Sequence, residues 1–255
     1  MHIDIDEKAH LNSIIHRMDI RAKIISILAA ALIISSCRTI PAALISAAFT
    51  FLLTLLSGID LAYYLRKIYY PLIFIIPLFI FLPFSSGGEV LLPVWIFNIY
   101  KEGILLSLLI SIKLISIIIL INIMISTATF RDTAAALRTL KIHDKMLNII
   151  LFTYRYFFVF FEALRKMKIA LTLRGSGKRS TVKSLGTSAN LAGSIIVRSY
   201  EQTERIYEAM LLRGYSGRIV SSKIFIIRGA DIFLALIIII IPLAVLFADI
   251  NGLLG

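Results

Sequence analysis

Twenty-four consecutive residues, Gly103–Ser126, carry one charge, Lys113. As a helix the run is about 36 Å long, enough to cross the roughly 30 Å hydrocarbon core of a bilayer. The other apolar residues also come in blocks. At 59% of the chain they exceed the roughly 45–50% of soluble domains, so lipid is the solvent for much of this molecule.

The same pattern predicts four more spans. Ile24–Cys37 and Ala42–Ser57 flank Arg38-Thr39-Ile40-Pro41. They read as a helical hairpin, or as one long helix kinked at the proline. Ile68–Phe84 carries Pro71, Pro77 and Pro83, and Asp231–Phe247 carries Pro242; such prolines are tolerated in lipid when neighbours satisfy the freed carbonyls. Ser85–Glu89 reads as a turn, and Trp95, Phe97 and Tyr100 as an aromatic belt at the membrane surface. The expected fold is therefore an all-α polytopic membrane protein with about five transmembrane helices.

Charge fixes the expected orientation. Arg131 to Arg228 holds 18 Lys and Arg against 6 Asp and Glu, and the remaining residues carry 9 of each sign. The whole surplus of +12 sits in one segment, which the positive-inside rule places in the cytoplasm. Five crossings then put the N-terminus inside and the C-terminus outside. Domains are expected at 1–127 (an interfacial N-terminal segment and helices 1–4), 128–230 (cytoplasmic and interfacial helices) and 231–255 (the last span). Without zinc-finger spacing or an RNP-like motif, the basic surface suits anionic membrane lipids and an acidic partner, not nucleic acid. Cys37 stands alone, so no internal disulfide is possible. No cleavable signal peptide is expected, since the first 23 residues are charged throughout.

Within the polar segment, Phe130–Lys145 is amphipathic. Leu147–Phe161 is aromatic but contains Arg155, and it reads as a helix lying against the membrane, not a full crossing. Helical stretches follow at Glu162–Leu173 and Leu185–Leu212, separated by the Gly- and Ser-rich Gly175–Ser184. Both end alike, in Leu173-Arg174-Gly175-Ser176-Gly177 and Leu212-Arg213-Gly214-Tyr215-Ser216-Gly217, with the arginines 39 residues apart. Glycine past a helix end closes it in the left-handed conformation. The arginine then occupies the last turn, where its charge suits the helix dipole. Arg-Gly ends helices that bind nothing, too. The shared leucine, the shared second glycine and the common polar segment favour a paired role, in which each guanidinium fork grips carboxylates or carbonyls of a partner that itself comes in two copies.

Lys113, in mid-span, is expected to face a carboxylate or helix end in the bundle, with contact to a partner membrane subunit or to transported substrate as the alternatives. Asp19 with Arg21 and Lys23 reads as a helix cap and membrane-edge anchor. His10, His16 and His143 form no ligand set, so no metal site is expected. Gly175-Ser176-Gly177-Lys178 lacks the Walker spacing, and no nucleophile-elbow sequence occurs, so no catalytic residues are expected either.

Three stretches resemble the T component of energy-coupling factor (ECF) transporters, over nearly the full length. Asn12-Ser13-Ile14-Ile15-His16-Arg17-Met18-Asp19-Ile20-Arg21-Ala22-Lys23 is similar to that family's S-x-I-H-R-L-D-P-R-x-K opening. Tyr154-Arg155-Tyr156-Phe157, Glu162 and Ala170–Gly175 resemble its R-Y/F … E … A-x-x-x-R-G run. Ala209-Met210-Leu211-Leu212-Arg213-Gly214-Tyr215-Ser216-Gly217 resembles A-M-x-x-R-G-Y/F-x-G. Ile20 replaces a proline, and Leu173 and Leu212 replace alanines. The opening His2–Leu11 looks most like the cobalt/nickel (CbiQ-like) branch.

The resemblance implies a non-catalytic scaffold in a prokaryotic plasma membrane. Its coupling helices would dock Leu173, Arg174, Gly175, Leu212, Arg213 and Gly214 on two ATP-binding subunits of the ECF-A/CbiO type. Those subunits would hold ATP and magnesium, with no cofactor on this chain. A substrate-binding S component (CbiM-like) would complete the importer, and Asp19, Arg21, Lys113 and Arg155 are candidate structural or S-component contacts. A shared vitamin-type T component remains an alternative. So does an ordinary ABC permease, whose E-A-A-x-x-x-G loop Glu208-Ala209-Met210…Gly214 partly imitates. A membrane enzyme acting on lipid would need clustered carboxylates or histidines at one depth.

Overall fold

A computed structural model of the chain describes residues 13–85, 90–94, 97–140, 143–173, 182–217 and 227–252. The chain divides into two compact units, Met1–Ala136 with Ile224–Gly255, and Leu137–Lys223.

The first unit is a helical membrane bundle. A single turn, α1 (Ile14–Arg17), leads into α2 (Ile20–Ser36), α3 (Ile40–Ser57), α4 (Leu61–Ser85) and α5 (Lys101–Ser126), and α9 (Gly229–Ile250) closes it. α5 packs against α2, α3 and α4, while α9 packs against α2 and α3. Their meeting point is the core: Ile27, Ala30 and Ile34 from α2, Phe49 and Leu53 from α3, Leu120 and Ile123 from α5, and Ile238 from α9. Small hydroxyl residues fill the rest of the interior. Ser26, Ser46, Thr50, Thr54, Ser107, Ser111 and Ser116 are buried, and each bonds a carbonyl three or four residues back in its own helix. That back-bonding satisfies the hydroxyl without a partner from another helix, and the small side chains let helices approach closely, as lipid-embedded packing requires. Many other large apolar side chains point outward: Leu32, Phe74 and Phe81 are all more than 70% exposed.

The two readings of residues 24–57 resolve as the hairpin. α2 stops at Cys37 (ψ 143°) and α3 begins after the extended Thr39, with Pro41 in its first turn, where proline is tolerated. α3 returns to the starting end of α2. Gly58, left-handed at φ 68°, closes α3 so near Ser13 that a Cβ there would sit 3.5 Å from the Ser13 Cβ. α4 bends by 48° between Ala62–Tyr69 and Pro71–Phe84, because Pro71 removes one ladder donor and clashes with the preceding turn. Between α4 and α5 lies an antiparallel pair that the sequence pattern did not predict, β1 (Val90–Val94) and β2 (Phe97–Tyr100), with Val94 opposite Phe97. Glu89 and Trp95 lie outside the described residues.

In the second unit the structure corrects the reading of Leu147–Phe161 as a separate helix. A short helix, α6 (Phe130–Thr139), straddles the boundary between the units; α7 (Asp144–Leu173) then runs unbroken for 30 residues, and α8 (Val182–Leu212) follows. Arg155 and the basic cluster at 165–168 suggested a boundary, yet no Gly or Pro occurs between Asp144 and Leu173, and charges alone do not stop a helix. By length and composition α7 joins α3, α5 and α9 as helices able to cross a membrane, with bent α4 as a fifth. α2, at 17 residues, is about 26 Å long and is the shorter arm of the hairpin.

Candidate functional site

The second arginine tip is closed by its own backbone. Gly214 has φ 79°, a region glycine enters without a Cβ penalty. That turn lets the Gly214 N–H donate to the Leu211 carbonyl and the Tyr215 N–H to the Met210 carbonyl, each at 3.0 Å. This is the Schellman arrangement, which satisfies carbonyls that a helix end otherwise leaves open. Tyr215 and Met210, at the positions that such caps pair through apolar contact, line one apolar groove. Asn148, near the start of α7, ties the loop down. Its Nδ2 donates to the Gly217 carbonyl at 2.9 Å and lies 3.4 Å from the Tyr215 hydroxyl. The helix end is thus fixed in shape with its apex outward: Leu212 is 90% exposed, and Arg213 beside it is exposed too.

The first tip has the same approach. α7 runs to Leu173, 83% exposed; Arg174 and Gly175 lie outside the described residues. α7 and α8 run antiparallel. A groove of about 350 Å³ joins Phe152, Tyr156 and Phe160 of α7 to Ile206, Tyr207 and Met210 near the end of α8, whereas Met167, Ala170 and Leu171 of α7 face Thr187, Asn190 and Leu191 near its start. Leu173 and Leu212 therefore stand at opposite ends of the pair. Asn148, which holds the Arg213 loop, and Leu173 are separated along α7 by about 38 Å at 1.5 Å per residue. Exposed pairs Glu162–Lys166 (3.9 Å) and Glu201–Arg205 (3.7 Å) support the two helices. At their exposure each contributes a few tenths of a kcal/mol.

Asp19 caps α2, its carboxylate accepting the Arg21 N–H at 2.9 Å and the Arg21 guanidinium at 3.2 and 3.1 Å. Burial alone would raise the Asp19 carboxyl, but the Arg21 side chain and N–H overcome it and hold the group below the ordinary carboxylate range. Lys113 donates to the Ser35 carbonyl in the last turn of α2 at 3.0 Å, a cation at a helix C-terminus. Arg155 is exposed on α7, its guanidinium 5.7 Å from the centre of the Tyr156 ring, within cation–π range.

Three buried charges escaped the sequence reading. Lys23 is fully buried and donates to the Thr127 carbonyl at 3.2 Å, where an exposed membrane-edge anchor was expected. Asp231 is buried at the start of α9. Asp249, buried near its end, accepts the Arg38 N–H at 2.6 Å and the Thr39 hydroxyl. The available signal was an acid at each end of an otherwise apolar span; a membrane carboxylate needs a partner.

The cobalt transport protein family CbiQ matches residues 11–225, most of the chain. The chain belongs to the CbiQ family. An uncharacterized protein of Methanocaldococcus jannaschii is 32% identical over 123 residues, 48% of this chain but only 45% of that protein. A second from the same organism is 25% identical and covers 95% of this chain and 85% of its own length. The energy-coupling factor transporter transmembrane protein EcfT of Staphylococcus aureus is 27% identical over 82% of each chain. This CbiQ-family chain is accordingly a multi-pass membrane protein of transport, and both arginine tips fall inside the matched region.

Proposed function

We propose that the chain is the non-catalytic T component of an ECF-type importer in a prokaryotic plasma membrane, with its N-terminus and the 137–223 segment on the cytoplasmic side. Arg174 and Arg213 seat two helix ends in the grooves of two ATPase subunits, which bind ATP and magnesium. Nucleotide-driven closure of those subunits moves α7 and α8, since a packed helix shifts as a unit. The bundle passes that motion to a substrate-binding S component of the CbiM kind, which carries cobalt or nickel. A vitamin, the cargo of a shared vitamin-type T component, is the alternative; the docking chemistry is the same for either.

One observation carries the reading: an exposed arginine on a Schellman-capped helix end, with Leu173, the residue before its sequence twin, at the far end of an antiparallel pair. Two tips so separated suit two motor subunits better than a single docking loop.

The test is co-purification of the ATPase subunits with Arg174→Glu, Arg213→Glu and the double variant. Reversing a charge that pairs in a docked groove costs about 2–5 kcal/mol, at least roughly tenfold in affinity per tip. Each single variant should therefore retain less ATPase and the double variant almost none. Wild-type retention by the double variant contradicts the proposal.

A further inference from the structure

The fully buried Lys23 bonds the end of one helix, and its charge acts on the carboxylate at the start of another. It lies in the first turn of α2, and its Nζ donates to the Thr127 carbonyl at 3.2 Å. Thr127 is the C-cap of α5; its N–H and hydroxyl both turn back to the Ile123 carbonyl, at 3.1 and 2.7 Å. Its own carbonyl is one that a helix end leaves without an intrahelical donor, at the negative end of the dipole. The two carboxylates that act on the Lys23 ammonium are Asp231 and Asp19. Asp231 belongs to the first turn of α9 and accepts the Arg228 N–H at 2.9 Å. Asp19 is the N-cap of α2 itself.

α5 is the last helix before α6, in which the chain leaves the first unit, and α9 is the first helix after the chain re-enters it. A lysine placed only to anchor the membrane edge would keep its ammonium in water, as long basic side chains do. This one has none of its surface in solvent. One hydrogen bond holds the end of α5 to α2, and the charge of the same ammonium attracts the buried carboxylate at the start of α9, a helix packed against α2.

We propose that Lys23 is a positioning residue that pins the C-terminus of α5 and the N-terminus of α9 to the root of α2. Force entering or leaving the bundle along the connecting chain then reaches all three helices together. The inference rests on the coupling role proposed above for its functional meaning, but the pin itself is a property of this chain and is read without any partner.

Hydrogen exchange of the chain in nanodiscs, alone and with its ATPase subunits, tests it. In Lys23→Met the amides of Thr127, Asp231 and Ile232 should exchange roughly tenfold faster or more, while those of Ala43 and Asn251 at the other end of the bundle stay unchanged. Lys23→Arg should restore most of the protection. With ATPases bound, nucleotide should alter exchange at Asp231 in the wild type and not in Lys23→Met, although both retain the subunits. Should Lys23→Met fail to accumulate, Asp231→Asn keeps the Lys23–Thr127 bond, and faster exchange should then be confined to Asp231 and Ile232. Unchanged exchange at these amides in either variant overturns the pin. Loss of the ATPases from wild type, with the exchange pattern intact, overturns the coupling reading and leaves the pin standing.

Discussion

The bundle and the α7–α8 pair solve opposite problems with the same helix. In the bundle small hydroxyl residues lie inside beside Ile27, Phe49 and Leu120, most of them satisfied by their own helix backbone, and many other bulky apolar residues face outward. The described residues of the α7–α8 pair include almost no interior: α7 buries Leu147 and α8 buries none, while Phe157, Ile149, Tyr200 and Leu211 stay exposed. The bundle takes its shape from packing, and α7 and α8 take theirs from unbroken helical sequence and capped ends. A rod shaped this way keeps its form while its surface remains available, which suits a part that carries movement between others.

Changes in the two regions should therefore act through different physics. The largest effect belongs to the bundle. Leu120 is fully buried among α2, α3 and α9 residues of the core, so Leu120→Ala should destabilise the protein by about 2–5 kcal/mol through lost packing and a cavity. Reversible unfolding in mixed micelles measures it; a loss below about 1 kcal/mol would mean that the bundle is not held by packing. Next comes the cap. Gly214→Val forces a β-branched residue into the left-handed region at a cost of about 1–2 kcal/mol, read as faster exchange at the Tyr215 amide with the bundle's unfolding midpoint unchanged. The smallest effect has the opposite sign. A Cβ on Gly193, in mid-α8, would meet nothing within 4 Å, so Gly193→Ala should stabilise α8 by about 0.5–1 kcal/mol. Destabilisation instead would show that α8 is packed tightly along that face after all.

What the sequence made legible follows the same divide. Long apolar runs placed α5 and α9, and the Arg38–Pro41 break placed the hairpin, because lipid makes length and hydropathy nearly sufficient. Leu212-Arg213-Gly214 announced a glycine-closed helix end, and Gly214 takes the left-handed conformation that such a cap needs. Charge misled where it was taken as punctuation: Arg155 and the 165–168 cluster hid one continuous α7. No strand was expected at Val90–Val94; Pro93 there supplies no ladder donor, which is tolerated because in a two-stranded ribbon each strand is an edge. The role of Lys23 was out of reach altogether. Its acceptor lies 104 positions away, and nothing local distinguishes a buried lysine from an anchoring one.

The proposed coupling role turns on where the two arginine tips stand. Arg174→Cys and Arg213→Cys, each in a Cys37→Ser background, can be probed with a membrane-impermeant maleimide in inverted and right-side-out vesicles. Both positions should label only in inverted vesicles, and bound ATPase subunits should block the reaction at each. Labelling from opposite faces, or at neither position until detergent is added, would contradict it.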